Sequence, residues 1–223
     1  MKRRQTFLIG LDGLARVRHF NVGLDVLIDE ISACRICVDT PLKSPLPHDP
    51  RPVCVLSQTA RICIAGQAPG TRVHQSGKPF TDPSGDRLRD WMGVGEDVFY
   101  DPDKLAIVPM GFCFPGLDAK GGDLPPRREC VATWHDRVFA QMPQIELVLV
   151  IGQYAQAYHL GKAREKTLTA TVANWRDYFE REGQRKVIPL PHPSWRNTGW
   201  IKKNPWFSDD LLPVLKDEIA RLI

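Results

Sequence analysis

A histidine framed by two prolines, in Pro191-His192-Pro193-Ser194-Trp195-Arg196-Asn197, has the best type and setting for chemistry in this chain. The prolines fix the backbone and remove competing N–H donors, so the imidazole is aimed rather than free to roam. A second segment, Gly66-Gln67-Ala68-Pro69-Gly70, has glycines flanking a proline. Such a turn is tight and presents backbone N–H groups to a ligand. Downstream lies Gly77-Lys78-Pro79-Phe80, then Thr81-Asp82. Phe80 reads equally as a stacking face for a flat base or as ordinary core packing.

Six cysteines add a second chemistry: Cys34, Cys37, Cys54, Cys63, Cys113 and Cys130. The Cys34-x-x-Cys37 pair is compatible with zinc, an iron–sulfur cluster or a redox couple. Cys63 falls inside an apolar run with Cys54 nearby, so both read as buried thiols. The stretch from Pro191 to Pro205 carries Arg196, Lys202 and Lys203 with no acid, and Trp195, Trp200 and Trp206 are interleaved with them. Cations suit phosphates, and aromatic rings stack or wedge between bases. The alternative is a basic loop whose tryptophans anchor in the core.

Four apolar runs bounded by turn residues must position these groups: Arg61–Ala65, Leu105–Pro109, Leu147–Ile151 and Lys186–Leu190. Short runs of this kind read as buried parallel strands. Helical periodicity fits between them at Ser84–Met92 with Ser84 as N-cap, Glu129–Met142, Tyr154–Leu160 and Thr167–Phe179, and again at Leu211–Leu222. An N-terminal helical pattern around Val22–Ile28 precedes a proline-rich wrap over residues 38–60. Alternating strands and helices predict a three-layer α/β/α fold around a four-stranded parallel sheet. In such a sheet, ligands bind outside the carboxyl ends of the strands. Gly66–Gly70 and Pro191–Asn197 both follow predicted strands, which places them in one crevice.

At 223 residues one domain spanning 1–223 is the economical reading, with residues 1–60 as helix and wrap. The chain is 43% hydrophobic and 25% charged, an ordinary globular balance. No apolar run approaches the ~20 residues of a membrane span. Asp12 interrupts the apolar Phe7–Leu11 run too early for a signal peptide. A cytoplasmic monomer is the expectation, and disulfides are disfavoured there. A net charge of +4 supports nucleic-acid binding only weakly.

The Gly66–Gly70 turn, Gly77-Lys78-Pro79-Phe80 and His192-Pro193-Ser194-Trp195-Arg196-Asn197, in that order and strand context, resemble the uracil-DNA glycosylase superfamily. The resemblance covers roughly residues 30 to 200 and is nearest to the iron–sulfur bacterial and archaeal branch, families four and five. It implies a monofunctional DNA repair glycosylase that flips a deaminated base, uracil first, out of DNA and hydrolyses its N-glycosidic bond. The alternative is a uracil- or abasic-site-binding protein on the same fold with little turnover.

By the same resemblance, Gly66, Ala68, Pro69 and Gly70 bind the base, Phe80 stacks on it, and His192 stabilises it as it departs. From their residue types, Ser194, Arg196 and Lys202 are expected to grip phosphates and Trp195 to fill the vacated stack if this loop faces DNA. Cys34, Cys37, Cys113 and Cys130 match the ligands of a [4Fe-4S] cluster, although four thiolates also suit tetrahedral zinc. Two positions depart from the pattern. The second strand runs into Val108-Pro109-Met110-Gly111, so Met110 stands where an asparagine amide usually reads the base and is counted among the expected base-binding residues. Ala68 stands where the best-known branch has a water-activating aspartate, which leaves Gln67, Asp82 or His74 to orient the water.

Overall fold

The computed structural model describes residues 23–182 and 185–223. The basic start, the Phe7–Leu11 run and Val22 lie outside the described residues. Four strands, β1 (Ile62–Ala65), β2 (Leu105–Ile107), β3 (Leu147–Ile151) and β4 (Lys186–Leu190), form one parallel sheet in the order β2-β1-β3-β4. The register sets Ile62 beside both Leu105 and Leu147, and Leu147 beside Lys186.

Side chains alternate across the sheet, so each strand feeds two cores. Ile62, Ile64, Leu105, Ile107, Leu149 and Ile188 pack on one face beneath helices Pro83–Met92, Trp175–Phe179 and Leu212–Leu222. Cys63, Ala65, Ala106, Val108 and Val148 pack on the other, beneath helices Leu24–Ser32 and Asp136–Gln141. Both faces are covered, as a parallel sheet requires. This is the predicted three-layer α/β/α architecture with a central four-stranded parallel sheet.

Several boundaries differ from the sequence expectation, each for a local reason. β2 stops at Ile107 because Pro109 has no N–H to continue the ladder. Beyond it the pairing resumes irregularly, with Met110 N–H donating to Gly66 O (2.9 Å) and Gly111 N–H to Gln67 O (3.0 Å). The N-cap of the 83–92 helix is Asp82 rather than Ser84: the Asp82 carboxylate accepts from Ser84 N–H, and Pro83 occupies the first turn, where a missing N–H costs nothing. The helix over 128–141 contains a π segment, Val131–His135, and the 167–179 stretch divides into Leu168–Ala173 and Trp175–Phe179.

The proline-rich wrap has a structural task. Val55 exchanges two backbone hydrogen bonds with Ile107 (2.8 Å each), and Val53 N–H donates to Phe112 O (2.7 Å), so the wrap covers the exposed edge of β2. At the opposite edge, Pro189 sits within β4, where only an edge strand tolerates a lost donor. Among the described residues no helix is long and apolar enough to cross a membrane.

Candidate active site

A cavity of about 100 Å³ opens at the carboxyl end of the sheet. All four strands supply it: Gly66 through Gly70 follow β1, Ile107 and Pro109 end β2, Ile151 ends β3, and His192 follows β4. Phe80, Asp82, Ser84 and Asp123 complete the walls relevant to chemistry. The two segments that sequence alone placed in one crevice therefore do converge on a single hollow.

Phe80 is held there by force. Its φ of 54° makes it the one non-glycine residue with positive φ among the described residues, a conformation costing about 1–2 kcal/mol for an L side chain. The hydroxyl of Tyr100 donates toward Phe80 O (3.1 Å) and Pro79 O (3.2 Å), and the Lys78 ammonium caps the Tyr100 ring 3.5 Å from its centroid. On the other side Gly85 lets the helix backbone approach: a β-carbon at position 85 would fall 1.9 Å from Phe80 O. The ring meets Phe99 edge-on (5.8 Å between centroids), and its tip lies over Gly66. Phe80 is thus both half-buried against the core and a wall of the cavity, so the two sequence readings are not exclusive.

His192 is oriented by its own loop. Ser194 N–H donates to His192 Nδ1 (3.2 Å), and Asn197 Nδ2 donates to His192 O (2.7 Å). Arg87 on the 83–92 helix donates to Ser194 O (2.8 Å) and Thr198 Oγ1 (3.1 Å), tying this loop to the helix that also backs Phe80. Because Nδ1 accepts, a neutral ring carries its proton on Nε2. The crowding of the site desolvates the ring and lowers its pKa below the ordinary histidine range, against the opposing pull of Asp82 and Asp123.

Other expected site residues are placed as follows. Gln67, Ala68, Pro69, Gly70 and Asp82 line the cavity. One oxygen of Asp82 is already engaged, accepting from Ser84 N–H (3.1 Å) and from the Ser84 hydroxyl. His74 is not a lining residue: its ring packs on His48 (4.2 Å between centroids) and Phe114 (5.8 Å). Met110 is a correction. It is 1% exposed and belongs to the core shared by Cys63 and Val108, while Pro109 and Ile107 form the cavity wall at that point. With Met110 N–H spent on Gly66 O, this strand end braces the first motif rather than meeting a ligand.

The basic, aromatic stretch also divides. Trp195 is 75% exposed beside His192, with Arg196 and Lys202 exposed on the same stretch. Trp200 and Trp206 instead pack edge-on against Phe207 and each other, and Trp200 Nε1 donates to Thr169 Oγ1 (2.8 Å). Of the three tryptophans, only Trp195 presents a ring outward. Ser194 sits between His192 and Trp195 and contributes its carbonyl to the Arg87 clamp.

Asp123 was missed by sequence reasoning. It comes from the loop after β2, and its carboxyl is pushed above the ordinary carboxylate range by desolvation; His192 and Arg196 pull it down and Asp82 adds to the rise. The available signal was Asp118 followed by Gly121-Gly122, a turn signature just past a strand's carboxyl end.

Cys34, Cys37, Cys113 and Cys130 surround one small apolar hollow with Pro50, Pro52, Phe112 and Trp134. All six cysteines are free thiols. Burial pushes Cys37 up to about 11 and Cys113 up to about 12, and raises Cys130 as well. Phe112 N–H donates to Cys130 Sγ (3.3 Å). Among the described residues no group of three or more His, Cys, Asp or Glu side chains is gathered closely enough to hold a metal ion. Cys54 and Cys63 are outside this set; burial pushes each up to about 12.

Among solved structures, wild-type SMUG2 of Pedobacter heparinus is similar, at 14% identity over 71% of this chain and 76% of that one, with a TM-score of 0.38. The model of the uracil DNA glycosylase superfamily matches residues 55–216, a span that begins in the β2-covering wrap and includes every wall of the cavity except Val53. This chain belongs to the uracil DNA glycosylase superfamily.

Proposed function

We propose that the chain is a monofunctional DNA glycosylase that extrudes a deaminated base, uracil first, and hydrolyses its N-glycosidic bond to leave an abasic site. The observation that carries this reading is the meeting of the Gly66–Gly70 turn, the strained Phe80 and the oriented His192 on one cavity. A base stacked in duplex is out of reach, so extrusion costs a few kcal/mol. Contacts from Ser194, Arg196 and Lys202 to phosphates offset that cost, with Trp195 entering the vacated stack.

Phe80 then lies against the flat face of the base, and Gly66, Ala68, Pro69 and Gly70 bring backbone close to its edge. As the C1′–N bond breaks, the sugar takes on positive charge and the base negative charge. The neutral His192 ring, with its proton on Nε2, donates to the oxygen where that charge collects. One such preorganised donor is worth about 3–4 kcal/mol, or ~10²–10³-fold in rate. None of the residues described as lining the cavity is a lysine, so no amine is placed there for a Schiff base.

Cys34, Cys37, Cys113 and Cys130 are the residues that would hold a [4Fe-4S] cluster. Their fit rests on the donor set: four cysteine side chains around one apolar hollow at the junction of wrap, β2 loop and helix. The cluster would supply a cross-link and no step of the hydrolysis.

The test is single-turnover incubation with oligonucleotides bearing uracil, hypoxanthine or xanthine, followed by alkaline cleavage of abasic sites. The expected result is lesion-dependent strand cleavage that His192→Ala reduces by ~10²–10³-fold with DNA binding retained. Selective lesion binding without base release would favour the non-catalytic binder instead.

A further inference from the structure

The cavity contains two carboxylates, and they differ in what they are free to do. Asp82 caps a helix: one of its oxygens takes both the N–H and the hydroxyl of Ser84. Asp123 lines the same cavity and, among the described residues, no hydrogen bond is made to its carboxylate. Its Oδ2 lies 3.5 Å from where a β-carbon on Gly70 would be, directly over the first motif. A group that must take a proton from water needs an unoccupied oxygen facing the site. Asp123 meets that condition better than Asp82.

The loop that presents it is built, not slack. Leu117 and Asp123 form an antiparallel bridge. Asp118 N–H donates to Gly122 O (2.8 Å), and Leu124 N–H to Gly116 O (2.9 Å). The Asp118 carboxylate accepts from Lys120 N–H (2.8 Å) and Gly122 N–H (2.9 Å), while Gly116 and Gly121 take positive φ values of 98° and 77°. Every one of these bonds uses backbone or Asp118, so the Asp123 side chain is left for another purpose. A carboxylate that is partly desolvated and electrically coupled to His192 is a frequent mark of a working site.

Resting on the glycosylase reading, we propose that Asp123 is a catalytic residue of the excision site, the acceptor of the proton from the attacking water. The C1′–N bond breaks with its electron pair leaving on the base, whose oxygen takes the hydrogen bond from His192. The water oxygen bonds to C1′, and its proton passes to the Asp123 carboxylate. The base anion later takes a proton from solvent. The carboxylate also supplies negative charge beside the cationic sugar, a service Ala68 cannot perform.

The charged groups that act on Asp123 are His192 and Arg196 from the loop after β4 and Asp82 at the cap of the 83–92 helix; Asp118 and Lys120 share its loop but bond to each other. Single-turnover excision is measured for wild type, Asp123→Asn and Asp123→Ala, alongside DNA affinity and thermal midpoint. Asp123→Asn is expected to lose at least ~10²-fold in rate, the low end for general base catalysis, with affinity and midpoint unchanged. Wild-type rate should climb with pH through the Asp123 titration, and that limb should vanish in Asp123→Asn. Formate added to Asp123→Ala should restore part of the rate, which a merely structural role would not allow. A rate within about threefold of wild type in Asp123→Asn, or a loss matched by lost DNA affinity, overturns the assignment while leaving the glycosylase reading standing. Wild-type protein that releases no base from any lesion overturns both.

Discussion

Replacing Gly85 with alanine sets two effects of opposite sign against each other. Position 85 is inside the 83–92 helix, where glycine is worse than alanine by about 1 kcal/mol, so propensity alone predicts a gain in stability. The structure predicts the reverse. The new β-carbon would stand 1.9 Å from Phe80 O, 2.9 Å from its carbonyl carbon and 3.0 Å from its Cβ. These are mostly backbone atoms, so the helix and the Phe80 segment must separate by about 1 Å, at the ~1–3 kcal/mol typical of overpacking. The net expectation is a loss of up to about 2 kcal/mol. Separation should also break the Tyr100 hydrogen bonds that hold Phe80 at positive φ. A 1 Å misplacement of a positioning surface costs on the order of 10²-fold in rate. Urea denaturation and single-turnover excision at saturating enzyme read the two numbers separately. A variant that is more stable than wild type and excises at full rate would refute the claim that Gly85 exists to seat Phe80.

Two further outcomes follow from the electrostatics and the thiols. Burial depresses the pKa of His135 to about 4 and of His159 to about 3, against an ordinary 6.5. Between those values the unfolded chain binds protons that the folded chain refuses, so stability should hold above about pH 6.5 and fall as the pH drops toward 4. Urea midpoints across that range check the sign, and His135→Phe should flatten the slope. Cys113→Ser should abolish any brown chromophore of the purified protein and lower its thermal midpoint, whereas Cys63→Ser should leave the chromophore; visible absorbance and iron content read both.

The crevice was legible because its parts obey strand-end logic. Leu147–Ile151 and Lys186–Leu190 were located to the residue, and a parallel sheet then leaves few choices for where Gly66 and His192 can go. What failed was finer than topology. Met110 occupies the position where the resemblance expects an amide, but a period-two strand end sends its side chain into the core beneath. Asp82 rather than Ser84 caps the helix because Pro83 is suited to the first helical position, which moves the start two residues earlier. Trp200 and Trp206 look identical to Trp195 in composition, and only tertiary packing separates two anchors from one exposed ring. Asp123 was hidden because its loop offers only a turn signature, and proximity to Gly70 arises only on folding.

The bridge from Arg87 to Ser194 and Thr198 has a consequence for how this protein can vary. The helix that backs Phe80 and the loop that carries His192 are joined through this guanidinium, so a shift of the helix is passed to both walls of the cavity. On the glycosylase reading, admitting a bulkier lesion would involve Arg87 and its partners as well as the two loops.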